Sequence, residues 1–171
     1  MPGAKLCHAL AIIWDRLGGN RGDESFEEPT DTLLSLIEGI DDCHVAVAAK
    51  PFAAVSYYFK MEDVAILFNG LGAFEGLGGG TACVEHLLTV ARGRNSKLLI
   101  AKAARDAESF YSRQGFVYVT KKGQKLGPDA IIDMVTPAAL ERQIPAKRVG
   151  RLLHGLGKRF SFHFAIMVLW L

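Results

Sequence analysis

Gly76, Gly78, Gly79 and Gly80 stand directly before Thr81, and Cys83, Val84, Leu87, Leu88 and Ala91 follow at helical spacing. Glycines lack the Cβ that would keep an anion away from the backbone, and the first-turn amides of a following helix have no partner inside it. The chemistry this implies is capture of a phosphate or diphosphate, with Thr81 adding a hydroxyl. The alternative is a tight strand-to-helix crossover in which glycine serves packing alone. Other glycine motifs fit less well. A dinucleotide fingerprint starting at Gly76 needs a small residue, normally Gly or Ala, where Thr81 stands, and one starting at Gly78 needs it at Cys83. Lys102 also stands where an acidic ribose ligand is wanted. A P-loop needs Gly-Lys-Ser/Thr, and no lysine occurs there. Cys43 and His44 point to opposite faces of a strand and make a poor metal pair. No Ser-His-Asp or Cys-His arrangement follows from spacing, and His44 and His86 read as core or surface histidines.

The elements that must position these residues follow from periodicity. The apolar run 64–68 reads as a buried strand bounded by Asn69-Gly70, and 97–101 as a second. Asp106 suits the N-cap of a helix carrying Phe110, Gly115 stops that helix, and 116–119 is a third strand. Upstream, 8–17 is helical, 20–29 is a polar acidic loop, and a helix capped by Thr30 or Asp31 runs to Ile40. Residues 43–49 and 52–60 read as strands paired in a hairpin. Downstream, 120–125 is a basic turn, 130–135 a strand and 137–143 a short helix or loop. These elements make one domain of residues 1–143.

Residues 144–171 form a further segment. Pro145 opens a helix with Val149, Leu152, Leu153 and Leu156 on one face and Lys147, Arg148, Arg151 and Lys158 on others. Phe160, Phe162 and Phe164 alternate with Ser161 and His163, and 164–171 is apolar throughout. This tail either completes the core or pairs with a second copy of the chain as a homodimer contact. A membrane-surface anchor is the other reading of the same basic amphipathic pattern.

Two segments carry a family resemblance. Glu75-Gly76-Leu77-Gly78-Gly79-Gly80-Thr81-Ala82 resembles the (Gln/Arg)-x-x-Gly-x-(Gly/Ala) turn of the GNAT superfamily of N-acetyltransferases. Ala107-Glu108-Ser109-Phe110-Tyr111-Ser112-Arg113-Gln114-Gly115-Phe116 resembles its Ala-x-x-Phe-Tyr-x-x-x-Gly-Phe signature. The resemblance implies an α/β (α+β) fold: a splayed, mixed, mostly antiparallel sheet flanked by helices. It implies acetyl transfer from acetyl-CoA to an amine by direct attack. Gly76, Leu77, Gly78, Gly79, Gly80 and Thr81 would hold the diphosphate, and the main chain around Phe68, Asn69 and Gly70 would serve the pantetheine arm and the oxyanion, with Phe110 also on the coenzyme. Tyr111 would protonate the departing thiolate, which suits a phenol of pKa near 10. Glu75 stands where the family has Gln or Arg, and no Lys or Arg occurs between Lys60 and Arg92. Anion binding would then rest on amides, the helix dipole and cations from elsewhere, such as Lys102, Arg105 or Arg113. Ala104 replaces the family's frequent Asn. For the general base, Glu27, Glu28, Glu62 and Asp63 are candidates.

The totals set bounds. The 171 residues are 50% apolar, long enough for a sizeable core and too apolar for disorder throughout. A net charge of +2 makes no case for nucleic acid. Three scattered cysteines without a C-x-x-C fit a reduced, cytoplasmic setting. Neither a signal peptide nor a transmembrane-length run is expected. The acidic loop of Asp23, Glu24, Glu27 and Glu28 suits a small cationic amine as acceptor. The alternative function is a catalytically degenerate module of the same fold that binds coenzyme A or a protein partner.

Overall fold

The computed structural model describes residues 44–49, 52–73 and 78–171. The helices expected before residue 43 and the acidic loop with Glu27 and Glu28 lie outside the described residues, as do Glu75, Gly76 and Leu77. The chain divides into two compact units: Met1–Tyr58 with Asn69–Leu87, and Phe59–Phe68 with Leu88–Leu171. The fold is α/β, with strand neighbours in the order β1-β2-β3-β4-β6-β5.

In the first unit, β1 (His44–Ala49) and β2 (Phe52–Lys60) form the expected antiparallel hairpin, registered from His44–Tyr57 to Ala49–Phe52. Val55 and Tyr57 are buried, as the two-residue period of a strand requires. Strand β3 (Ala65–Ala73) enters this unit at Asn69. It runs past Asn69-Gly70, where the sequence suggests a stop. Helix α1 (Gly79–Arg94) begins here, and Cys83, Val84 and Leu87 are its buried face.

In the second unit, β3 runs parallel to β4 (Leu98–Ala103), with registered partners from Ala65–Leu98 to Phe68–Ala101. Both segments are buried on both faces, which explains their unbroken apolar sequence. Helix α2 (Glu108–Arg113) leads to β5 (Val117–Thr120). Strand β6 (Ala165–Trp170) lies antiparallel to β4 on one side and to β5 on the other. Among the described residues, β3 with β4 is the parallel pair, and the remaining registered pairs are antiparallel.

Two expectations need correction here. Residues 130–135 are not a strand but part of helix α3 (Pro128–Glu141), which also absorbs 137–141. Ile131, Val135 and Ala139 recur every fourth residue and are all buried, so a helical face wins over local β-branched propensity. Pro137 sits inside the helix; lacking an N–H, it leaves the carbonyl of Asp133, on the exposed side, without its helical donor. Asp106 is not the N-cap of α2. That position belongs to Ala107, with no side-chain capping bond.

Helix α4 (Ala146–Phe160) starts after Pro145 as expected. Val149, Leu153 and Leu156 are buried, while Lys147, Arg148, Arg151 and Lys158 are exposed. Gly150 admits the backbone of α3, since a Cβ there would lie 2.9 Å from the Cα of Ile132.

Candidate functional site

Tyr111 is placed by the way its helix ends. Gln114 caps α2, and Gly115 turns the chain at φ +93°, a conformation glycine adopts without steric cost. The Phe116 N–H then donates to the Tyr111 carbonyl at 3.0 Å, and the Gly115 N–H to the Ser112 carbonyl at 3.1 Å. This bond pair is a Schellman stop, and its usual hydrophobic clasp is the Tyr111–Phe116 ring contact at 5.2 Å. The spacing Phe-Tyr-x-x-x-Gly-Phe is thus a device for ending a helix with two rings locked together.

Those rings meet a third. Phe68 of β3 lies 6.1 Å from Tyr111 and 5.8 Å from Phe116, centroid to centroid, and Phe110 lies 5.2 Å from Tyr111. Tyr111 is only 4% exposed. Phe68 is also where the registered parallel pairing of β3 with β4 ends, although β4 continues to Ala103 and β3 to Ala73. The Tyr111 ring therefore packs against the last registered residue of this parallel pair. Sequence reasoning used Phe68 for its main chain and missed its ring, as it missed Phe116. The Gly115-Phe116 pair was the signal for the latter.

At the glycine turn, Gly78 has φ +79° and is exposed, and a Cβ built there meets nothing within 4 Å among the described residues. Gly79 opens α1, and the Gly78 carbonyl accepts the Ala82 N–H at 3.0 Å. The first turn of α1 carries no acidic side chain, and Arg92 and Arg94 stand in its last turn. A glycine at the helix start and the polarity of the helix dipole are what an anion such as a diphosphate would need. Gly70 lies within β3, and Thr81 is half-buried in the first turn of α1.

Several other candidates have structural occupations. Asp63 follows Met61 and Glu62 in a turn where all three have positive φ, and it pairs with Arg94 at 3.3 Å. Its carbonyl also accepts the Ser96 hydroxyl, so it anchors the start of β3. Glu62 and His86 are exposed. Lys102 lies 4.3 Å from the Phe160 ring centroid, and burial, with Arg159 adding to it, holds its pKa below the ordinary value. Arg105 and Arg113 are exposed around α2. Burial pushes the Cys83 thiol up to about 11, which makes it a poor nucleophile. No group of residues able to hold a metal occurs among the described residues, nor any helix long and apolar enough to cross a membrane.

The described residues thus give a mixed, mostly antiparallel sheet, a glycine turn that opens α1, and a tyrosine packed on the last registered residue of the parallel pair. No family model matches the sequence, and no curated protein matches it. Solved structures that resemble it include members of the family its two motifs resemble. Rv2747 from Mycobacterium tuberculosis, in complex with CoA, is 17% identical over 81% of each chain, with a TM-score of 0.49. A protein assigned to the GNAT family, from Desulfovibrio desulfuricans, is 18% identical over 68% of this chain and 86% of its own, at 0.48. Tetrahymena GCN5 is 16% identical over 72% and 74%, at 0.46.

Proposed function

We propose that the chain is an N-acyltransferase that moves an acetyl group from coenzyme A to the amine of a small molecule by direct attack. The observation that carries this is the packing of Tyr111 on Phe68, at the end of the β3/β4 ladder. Coenzyme A, when bound, supplies the acyl group as a thioester. The amides at Gly78, Gly79, Gly80 and Thr81 would hold its diphosphate, with Gly76 and Leu77 before them in sequence, and Phe110 of α2 would also serve the coenzyme. Main-chain groups of β3 after Phe68, including Gly70, are the donors for the pantetheine arm and the developing oxyanion. Tyr111 holds the proton that the departing sulfur must receive. A free, buried thiol at Cys83 accords with a reducing, cytoplasmic setting. Both edges of β6 are bonded inside the sheet, so a homodimer would use faces of the tail other than that strand.

Tyr111→Phe keeps the ring cluster and removes the proton. We expect turnover, followed by thiol release, to fall roughly a hundredfold or more while acetyl-CoA affinity by calorimetry stays unchanged. Unchanged turnover removes Tyr111 from the mechanism. The Schellman clasp favours a second reading, since it accounts for Tyr111 by packing alone. In that case the chain is a catalytically degenerate module that binds coenzyme A or a protein partner, and the same calorimetry shows binding without turnover.

A further inference from the structure

After Glu141 the chain carries six Lys and Arg residues and no Asp or Glu, although the whole chain has a net charge of only +2. The outer stripe of α4 passes through Arg151, Gly155 and Lys158, all exposed, and Phe162 follows in the turn after the helix end. The turn bearing Lys122 and Lys125 is tied to this end of the helix. The Gly123 N–H donates to the Ser161 carbonyl at 2.6 Å, and a Cβ on Gly157 would lie 3.4 Å from the Thr120 side chain. Lys122, Lys125, Arg151 and Lys158 make no ion pair among the described residues. Next to Ser161, Phe162 is 78% exposed, more than any other large apolar side chain described.

We propose that the outer face of α4, the 121–125 turn and Phe162 form a docking surface for an anionic phospholipid bilayer. Unpaired cations around one projecting apolar ring match the charge of such a surface, and the ring can enter the boundary between headgroups and acyl chains. The neighbouring rings argue against a nucleic-acid platform, which stacks successive bases on open aromatic faces. Phe160 is already covered, by Arg159 at 4.9 Å and Lys102 at 4.3 Å, and Phe164 has Lys102 at 5.9 Å and a ring contact with His163. Phe162 meets His163 edge-on at 4.8 Å yet stays 78% exposed, so one anchor remains, not a row of platforms. The surface is independent of the acyl chemistry and needs no coenzyme.

The test is flotation of the full chain with vesicles of phosphatidylcholine alone and of phosphatidylcholine with phosphatidylglycerol, at low and high salt. Binding to the anionic vesicles alone, weakened by salt, is the expected result. Phe162→Ala should lower the partition coefficient about tenfold, and Lys122→Glu and Lys158→Glu at least about fivefold each, with far-UV circular dichroism unchanged. These residues are exposed, so the variants leave the core intact. Failure to bind anionic vesicles, equal binding to neutral ones, or a Phe162→Ala partition like that of the parent overturns the proposal. So does tight binding of polyuridylate with the vesicles left unbound, which would make the face a nucleic-acid surface.

Discussion

Gly150 and Gly155 lie on the same helix, and the same substitution should have opposite effects at the two. A Cβ at Gly150 would stand 2.5 Å from Ile132 Cγ1 and 2.9 Å from Ile132 Cα, where ordinary carbon contacts need about 3.5–4.0 Å. The side-chain contact can be relieved by rotating Ile132, but the backbone contact cannot. Gly150→Ala must therefore shift α3 and α4 apart by roughly half an ångström or more, and overpacking of this kind costs about 1–3 kcal/mol. Alanine returns about 1 kcal/mol through helix propensity, leaving a net loss of about 1 kcal/mol. At Gly155 a Cβ meets nothing within 4 Å, so only the gain of about 1 kcal/mol remains. The two variants should differ by about 2 kcal/mol, or roughly 4–8 °C in midpoint for a chain of this size. Thermal and urea unfolding followed by far-UV circular dichroism measure this. Equal stabilisation by both substitutions would mean that Ile132 does not press on Gly150, and the helix packing described above would be wrong.

Three further outcomes follow from single residues. Cys83 is raised to about 11 from 9.0, so its contribution is intact below pH 9 and is lost as pH climbs through the folded-state value. Measured by urea unfolding across that window, the stability difference between the parent and Cys83→Ala should shrink by roughly 2–3 kcal/mol, and Ellman's reagent should react slowly with the folded parent at neutral pH. Gly115→Ala should cost about 1–2 kcal/mol, because φ is +93° and Leu169 Cδ1 would lie 3.3 Å from the new methyl; near-ultraviolet circular dichroism should report disturbance of the Tyr111 and Phe116 rings. Arg159→Gln should move the Lys102 pKa part of the way back toward its ordinary value, since burial, the larger cause, stays; an NMR titration of the lysine side chain reads this directly.

Much of the chain was legible because local signals and tertiary demands agree. The hairpin of β1 and β2, the strand at Leu98–Ala103, the stop at Gly115 and the helix after Pro145 all stand within a residue or two of their sequence signatures. Helix α3 was not legible because Ile131, Ile132 and Val135 favour a strand locally, whereas the four-residue spacing of Ile131, Val135 and Ala139 extends beyond a strand-sized window. Asn69-Gly70 ordinarily punctuates, and here the strand continues through it. Of the site, the helix-ending half of the Tyr111 motif was legible in Gly115. The meeting of Tyr111 with Phe68 was not, since it joins residues distant in sequence through a strand pairing that no local period encodes.

The last strand does more for the site than its place in the chain suggests. Strands β4 and β5 both run antiparallel to β6, so they are parallel to each other, yet β6 separates them and α2 must cross over it. The left-handed turn at Gly115 comes down on this strand, where a methyl would meet Leu169. A glycine is therefore required by its φ and by the closeness of β6 together. On its other side, β6 keeps β4 paired through Ala103, after the register of β4 with β3 has ended at Ala101. The strand that seats the tyrosine helix thus also holds β4 beyond its last registered partner in β3. This is why Ile166, Met167 and Val168 are buried as deeply as the central strands, and why a catalytic reading of Tyr111 depends on residues 165–170 as much as on its own motif.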